Sequence, residues 1–330
     1  MKAPLPWAFL IPPAGMLSGG NLYNERLIAA LQEAGVPVLR CADPAQLPAA
    51  GTCWADTLLL DRAVEIPPGL ARILLVHHLD SLWPPDPGGQ SAARDRRRLA
   101  GFDALLATSS FTAEYLRTGL QLPQPVYTAE PAPHPGIRMP ETLRAAAPVS
   151  ALMAANLIER KGILPLLEGL AAAGIPPGLP WRLTLCGSDG HEPAYAEACL
   201  RLIRSHPALR AHVRWIGSVP PGQLPDYYHE ANVFLSAAGM ETFGMALQDA
   251  VQAGLPVLAV EGGFAARHLA EGITGHAADS PAQLARLLAE LIRHPARLEA
   301  LLRGAAQHRP WAGHTWQSAA QRLLSQIPPV

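Results

Sequence analysis

Short apolar runs alternate with longer amphipathic stretches along the whole chain, and this alternation restricts the fold more than any other feature. An apolar run bounded by turn residues reads as a strand buried on both faces, and the amphipathic stretch after it as a helix covering one of them. Repeated, the unit builds a parallel sheet flanked by helices, so the fold class is α/β and doubly wound. Candidate strands in the first half are Trp7–Ile11, Val36–Arg40, Thr57–Leu60, Ile73–Val76, Ala104–Ala107 and Pro125–Thr128. A second set follows at Ser150–Ala154, Arg182–Cys186, Val213–Ile216, Val233–Ser236 and Val257–Val260. Between the sets, residues 129–150 carry five prolines and no sustained periodicity, which predicts a connection over the surface. We therefore expect two domains, 1–147 and 148–330, a division that 330 residues accommodate with a full core in each. The final segment, 311–327, has helical spacing at Trp316, Ala320, Leu323 and Leu324. Periodicity leaves its destination open, packing back on the N-terminal domain being one choice.

Composition excludes several classes. Apolar residues make up 49%, charged residues 16%, and the formal net charge is -1, which argues against disorder and against a basic nucleic-acid-binding surface. No apolar run reaches the roughly 20 residues that cross a bilayer. The opening segment is broken by Pro4, Pro6, Pro12 and Pro13 and reads as a first strand entering a glycine turn, not as a signal peptide. Cys41, Cys53, Cys186 and Cys199 form no metal-ligand spacing, so reduced thiols and a cytoplasmic location are expected. Arg94, Arg96, Arg97 and Arg98 read as a solvated helix face, since no strong apolar face adjoins them, and membrane association has no support. Oligomeric state has no sequence signal.

The most informative passage is Val233–Gly263, which orders a strand, a small-residue loop, an acidic residue, a helix, a glycine turn and another strand. Glu241 falls in or just before the loop-to-helix junction. The amides of Phe243, Gly244, Met245 and Ala246 are then the free donors of a first helical turn, where the helix dipole favours an anion such as a diphosphate. Gly244 allows close approach to the backbone. Asp249 lies eight residues after Glu241, which on a continuous helix is a rise of about 12 Å and a rotation of about 80°. That separation suits gripping a sugar at one end and a ribose at the other. By themselves the two acids are better described as a helix-start residue and a solvated side chain.

The stretch ETFGMALQDAVQAGLPVLA resembles the acidic signature of the glycosyltransferase family 4 enzymes, which have the GT-B architecture of two Rossmann-like domains facing a cleft. LMAANLIERKGILPLLEGL is similar to the segment opening their donor domain, and LTLCGSDG, VRWIGSVPPGQLPDYYHEANVFLS and EGITG extend the likeness through most of the second half. In the first half LSGGNLYNERLIAALQEAG, ILLVHH and FDALLATSSFTAEYL fall in the expected places. The resemblance implies a retaining, metal-independent transferase that takes a UDP- or GDP-linked sugar, without further cofactor, and passes it to an unknown acceptor hydroxyl. It implies Arg160 and Lys161 at the diphosphate, Glu241 at hydroxyls of the transferred sugar, and Asp249 at the ribose. Asn156 and Gly187 join the donor set. Two departures stand out. Asp249 is one methylene shorter than the family's glutamate, and Asn156 occupies a place where many members have an arginine, so it can donate a hydrogen bond but cannot neutralise phosphate.

In the first domain Gly19 and Gly20 sit between a strand and a helix beginning near Asn21, a turn that permits approach to phosphate or acceptor. His77 and His78 end the ILLV strand, at the carboxyl ends of the strands where α/β ligands bind, and family members often have a histidine here near the sugar. Adjacent residues of a strand point to opposite faces, so one of the two is expected in the site. Ser109 is a weaker candidate after the next strand. No D-x-D pair occurs in the chain, and no metal site is assigned. Two alternatives accommodate the same features: a nucleotide-sugar epimerase or phosphorylase of this architecture, and a non-catalytic partner subunit retaining the fold.

Overall fold

The computed structural model describes residues 6–13, 15, 18–83 and 89–327. Pro4 and the outermost ends of the two expected domains lie outside the described residues. By contacts the chain divides into two compact units, Met1–Ala132 with Gly313–Val330, and Pro133–Ala312.

The first unit holds six parallel strands, β1 (Trp7–Leu10), β2 (Val38–Cys41), β3 (Gly51–Asp56), β4 (Leu70–Val76), β5 (Ala104–Ala107) and β6 (Val126–Thr128), in the order β2-β1-β3-β4-β5-β6. Helix α1 (Gly19–Glu33) begins at Gly19 rather than near Asn21, because the Ser18 side chain accepts from the Asn21 amide and fixes the start two residues earlier. The strand expected at Thr57–Leu60 is instead part of a 3-10 helix, Thr57–Glu65, and the strand is the preceding Gly51–Asp56. The physical cause is Asp56, whose Oδ1 accepts from the Leu58 amide at 2.7 Å and turns the chain. Helix α2 (Gln90–Leu99) and the short helix α3 (Ser110–Glu114) follow.

The second unit holds six more parallel strands, β7 (Val149–Ala154), β8 (Trp181–Cys186), β9 (Val213–Trp215), β10 (Val233–Ser236), β11 (Val257–Val260) and β12 (Gly275–Ala278), ordered β12-β11-β10-β7-β8-β9. β12 has no counterpart among the expected strands, since GHAA lacks an apolar run. Helices α4 (Ile163–Ala172), α5 (Pro193–Ser205), α6 (Pro207–His212), α7 (Leu224–Glu230), α8 (Met245–Gln252), α9 (Pro281–Arg293) and α10 (Pro295–Gln307) cover the sheet. Strand alternation divides the core. Ala151, Met153, Leu183, Leu185, Val233 and Leu235 bury one face with α4, α5 and α9. Leu152, Phe234, Val257 and Ala259 bury the other with α7 and α8. α4 and α9 approach closely at Gly169, where a Cβ would stand 2.8 Å from that of Ala285.

The 129–148 segment contains neither strand nor helix, yet it does not run wholly over the surface, because Ile137 is buried in the second core. Helix α11 (Trp316–Gln326) belongs to the first unit, where Trp316 meets Tyr23 edge-on at 5.5 Å between ring centroids. Among the described residues no helix is long and apolar enough to cross a membrane, and the four cysteines are buried and unpaired.

Candidate functional site

In the second unit the chain leaves β7 through a turn ending in a single 3-10 turn, Glu159–Lys161. Gly162 closes it at φ +64° and opens α4, and a Cβ there would lie 2.2 Å from the Ala237 carbonyl oxygen. Ala237 directly follows β10, so the absence of a side chain at 162 lets the β7–α4 turn sit against the loop that carries Glu241. Consequently Lys161 Nζ donates to Glu241 Oε1 at 2.5 Å, with the two side chains only 18% and 15% exposed. Arg160, beside Lys161, is exposed and forms no ion pair among the described residues.

Glu241 is not on the helix. Its amide donates to the Gly262 carbonyl at 3.3 Å and its carbonyl accepts from the Phe264 amide at 2.8 Å, a single parallel bridge between the loops after β10 and β11. Gly262 and Gly263 make that approach possible, since their Cβ positions fall 2.0 and 2.3 Å from the carbonyl oxygens of Gly239 and Glu241. The helical rise and rotation between Glu241 and Asp249 therefore do not apply, because α8 begins only at Met245 with Gly244 as N-cap at φ +88°. The free amides of its first turn accordingly start one residue later than expected, at Gly244, Met245, Ala246 and Leu247. Phe243 is buried by its ring, with its carbonyl 2.6 Å from His268 Nε2.

The remaining donor-set residues serve backbone geometry. Asn156 Oδ1 accepts from the Ser188 amide at 3.0 Å, tying the β7 turn to the one after β8. Gly187, φ +153°, lies where a Cβ would stand 2.0 Å from the Ala155 carbonyl oxygen, so only glycine lets these two turns meet. Asp249 is 6% exposed, and its Oδ1 accepts from the His134 amide at 2.7 Å, so that oxygen holds the 133–137 segment to α8.

In the first unit Gly19 is exposed, and Gly20 lies against His77, where a Cβ would come 3.2 Å from the imidazole Cγ. His77 Nε2 is 2.8 Å from Asn24 Oδ1, which can only accept, so Nε2 carries the hydrogen. Asn24 in turn donates to Asp56 Oδ2 at 2.6 Å, and both are fully buried. Burial pushes the His77 imidazole below its ordinary range, against the opposing charge of Asp56. His78 instead accepts at Nδ1 from Trp83 Nε1, 3.3 Å away. Asn24 and Asp56 are not among the residues expected from the sequence. The available signals were their positions, one helical turn after Gly20 and at the carboxyl end of a strand.

Ser109 caps α3, accepting from the Thr112 amide at 3.0 Å. Arg94 pairs with Asp80 at 3.1 Å, Arg98 pairs with Asp61, and Arg96 Nε donates to the Leu120 carbonyl at 2.8 Å, while Arg97 is exposed. No group of three or more His, Cys, Asp or Glu side chains among the described residues is arranged to hold a metal ion.

Comparison with known proteins matches residues 140–308 to the family described as glycosyl transferases group 1. A D-inositol 3-phosphate glycosyltransferase of Catenulispora acidiphila is 36% identical over 108 residues, 32% of this chain and 25% of that protein. A sucrose synthase of Tulipa gesneriana is 27% identical over 148 residues, 42% of this chain and 18% of its own length. The chain thus spans a quarter or less of these two relatives. Among solved structures, sucrose-phosphate synthase from Thermosynechococcus elongatus superposes with a TM-score of 0.76 at 20% identity, covering 97% of each chain. HepE of Anabaena, in complex with UDP-glucose, gives 0.70 at 18% identity over 97% of this chain and 99% of its own. At these identities the superpositions establish the GT-B fold.

Proposed function

The chain belongs to the glycosyl transferases of group 1, and from that premise we propose that it moves a sugar from a nucleotide sugar to an acceptor hydroxyl, with retention and without a metal ion. The observation that carries this reading is the Lys161–Glu241 pair, drawn together from two loops 80 residues apart beside the N-terminus of α8. An ammonium group and first-turn amides form a fixed positive field suited to a diphosphate. That field counts most for the leaving group, whose charge grows as the bond between the anomeric carbon and the phosphate oxygen breaks, because preorganised donors stabilise it without rearranging. Lys161 has three donors, so it can keep Glu241 while bonding a phosphate oxygen. Glu241 is then oriented to accept from a hydroxyl of the sugar.

The family resemblance supports retention. The acceptor oxygen bonds to the anomeric carbon on the face the diphosphate leaves, and the departing phosphate oxygen takes the acceptor proton. No side-chain nucleophile is invoked. HepE, solved with UDP-glucose, supports a uridine-linked hexose as the first donor to try, with guanosine-linked sugars next. His77, oriented by Asn24 and Asp56, is the better candidate of the two histidines for contact with sugar or acceptor. Buried free thiols fit a reducing compartment, the cytoplasm, as the place of reaction.

The test is a titration of UDP and GDP followed by kinetics with the sugar nucleotide that binds. Lys161→Ala is expected to lose nucleoside-diphosphate affinity and turnover together, whereas Glu241→Ala lowers turnover more than affinity. Unchanged kinetics in both variants would refute the assignment.

A further inference from the structure

Behind the turn that carries Glu241 stands a wall of rings. Phe243 stacks on Phe264 at 4.9 Å between centroids and meets His268 and Trp311 edge-on at 5.1 and 5.4 Å. His268 is completely buried, and its Nε2 lies 2.6 Å from the Phe243 carbonyl oxygen. A carbonyl only accepts, so Nε2 bears the hydrogen and Nδ1 is bare. Burial holds the ring neutral, pushing its pKa down to about 4 although the Phe243 bond and the Glu241 charge both act to raise it. Nδ1 has no hydrogen-bond partner among the described residues.

An imidazole is a poor choice for such a place if filling space is the only requirement. A buried nitrogen without a partner is unfavourable, and an apolar side chain of similar size would avoid it. What the histidine adds is one hydrogen bond, and that bond goes to the peptide linking Phe243 to Gly244. A peptide unit is planar, with its C=O and N–H pointing in opposite directions. Holding the Phe243 carbonyl against His268 therefore aims the Gly244 N–H the other way. The lock matters here because glycine permits the flipped orientation of this peptide about as readily as the observed one. After a flip, a carbonyl oxygen would stand where the N–H now points, at the N-terminus of α8.

We propose that His268 is a positioning residue for donor binding, its Nε2–H fixing the Phe243–Gly244 peptide so that the turn between Glu241 and α8 presents an N–H rather than a carbonyl oxygen to the diphosphate. The inference rests on the glycosyl-transfer reading for its ligand, and on the hydrogen bond alone for its mechanism. His268→Gln and His268→Met test it, since the two side chains match in length and only glutamine carries a donor. Amide hydrogen exchange over residues 241–247, measured without ligand, reads the lock itself. UDP and GDP titrations read its consequence.

In His268→Met, exchange in the turn is expected to rise about tenfold and affinity for the diphosphate that binds wild type to fall roughly tenfold, the upper range for loss of one hydrogen bond. His268→Gln, which keeps a donor, is expected to stay within about threefold of wild type in both. Equal behaviour of the two variants, whether both like wild type or both impaired, overturns the lock. A clear exchange difference in a protein that binds neither diphosphate would overturn the donor assignment while leaving the hydrogen bond standing, which separates the two failures.

Discussion

Replacing Lys161 by methionine removes a charge and keeps most of the side chain's bulk, leaving the Glu241 carboxylate, 15% exposed, without its 2.5 Å partner. Exposed ion pairs are worth about 0–1 kcal/mol, whereas removing one member of a fully buried pair costs about 3–5. With each side chain more than four-fifths buried, the expected loss on Lys161→Met is about 2–3 kcal/mol, nearer the buried limit. Glu241→Gln removes the stranded charge, so the double variant is expected to return to within about 1 kcal/mol of wild type. The coupling energy of the resulting double-mutant cycle is then about 2 kcal/mol. Urea denaturation followed by far-UV circular dichroism measures each corner of the cycle. Repetition in high salt should change the coupling little, because a desolvated pair is weakly screened. Diphosphate binding should not recover with stability, since the double variant lacks the cation. A coupling energy below about 0.5 kcal/mol would refute the pair as a structural bond, and recovery of UDP affinity in the double variant would refute its role in binding.

Gly162→Ala places a Cβ on the Ala237 carbonyl oxygen at φ +64°. Left-handed strain of about 1–2 kcal/mol and overpacking of about 1–3 should lower stability by about 2–5 in all, and calorimetry showing no change would contradict the packing described. For His268, the unfolded chain takes up a proton near pH 6.5 and the fold only near pH 4. The unfolded state thus binds more protons between those values, and stability falls on acidification. At about 1.4 kcal/mol per pH unit the loss from pH 7 to pH 4.5 is about 2 kcal/mol, and denaturation of His268→Met at both pH values should lack that share. Asp249→Ala strands the His134 amide and should cost about 1–3 kcal/mol, whereas Asp249→Asn retains an acceptor and should cost under about 1. Thermal melts of the two variants distinguish these outcomes, and a UDP titration of Asp249→Asn tests the proposed ribose contact.

Much of the architecture is legible along the chain because parallel strands buried on both faces are written as uninterrupted apolar runs. Ala104–Ala107, Val233–Ser236 and Val257–Val260 can be read residue for residue. Where the run is absent, as in GHAA, or misleading, as in TLLL after Asp56, the strand is displaced or missed. There the deciding interaction is a pairing partner or a capping side chain, not the segment's own composition. Glu241 stands out through local order, a strand, a small-residue loop and a charge before a helix, whereas Lys161 is reached through the resemblance of LMAANLIERKGILPLLEGL to the family's donor-domain segment.

That these two side chains touch is a different kind of fact. Their contact depends on Gly162 meeting Ala237 and on the loops after β10 and β11 closing over Gly262 and Gly263, approaches between segments far apart in the chain. His268 is the extreme case, since nothing in its spacing distinguishes it from any other histidine. Its tautomer and bond are set wholly by the carbonyl it is packed against. Local periodicity and turn chemistry act over a few residues, so they determined the α/β class and most of the parallel strands, but not β12 or the place of β3. Charge pairing, burial and the direction of a single peptide arise only where distant segments exclude water together, and those were decided by the tertiary structure.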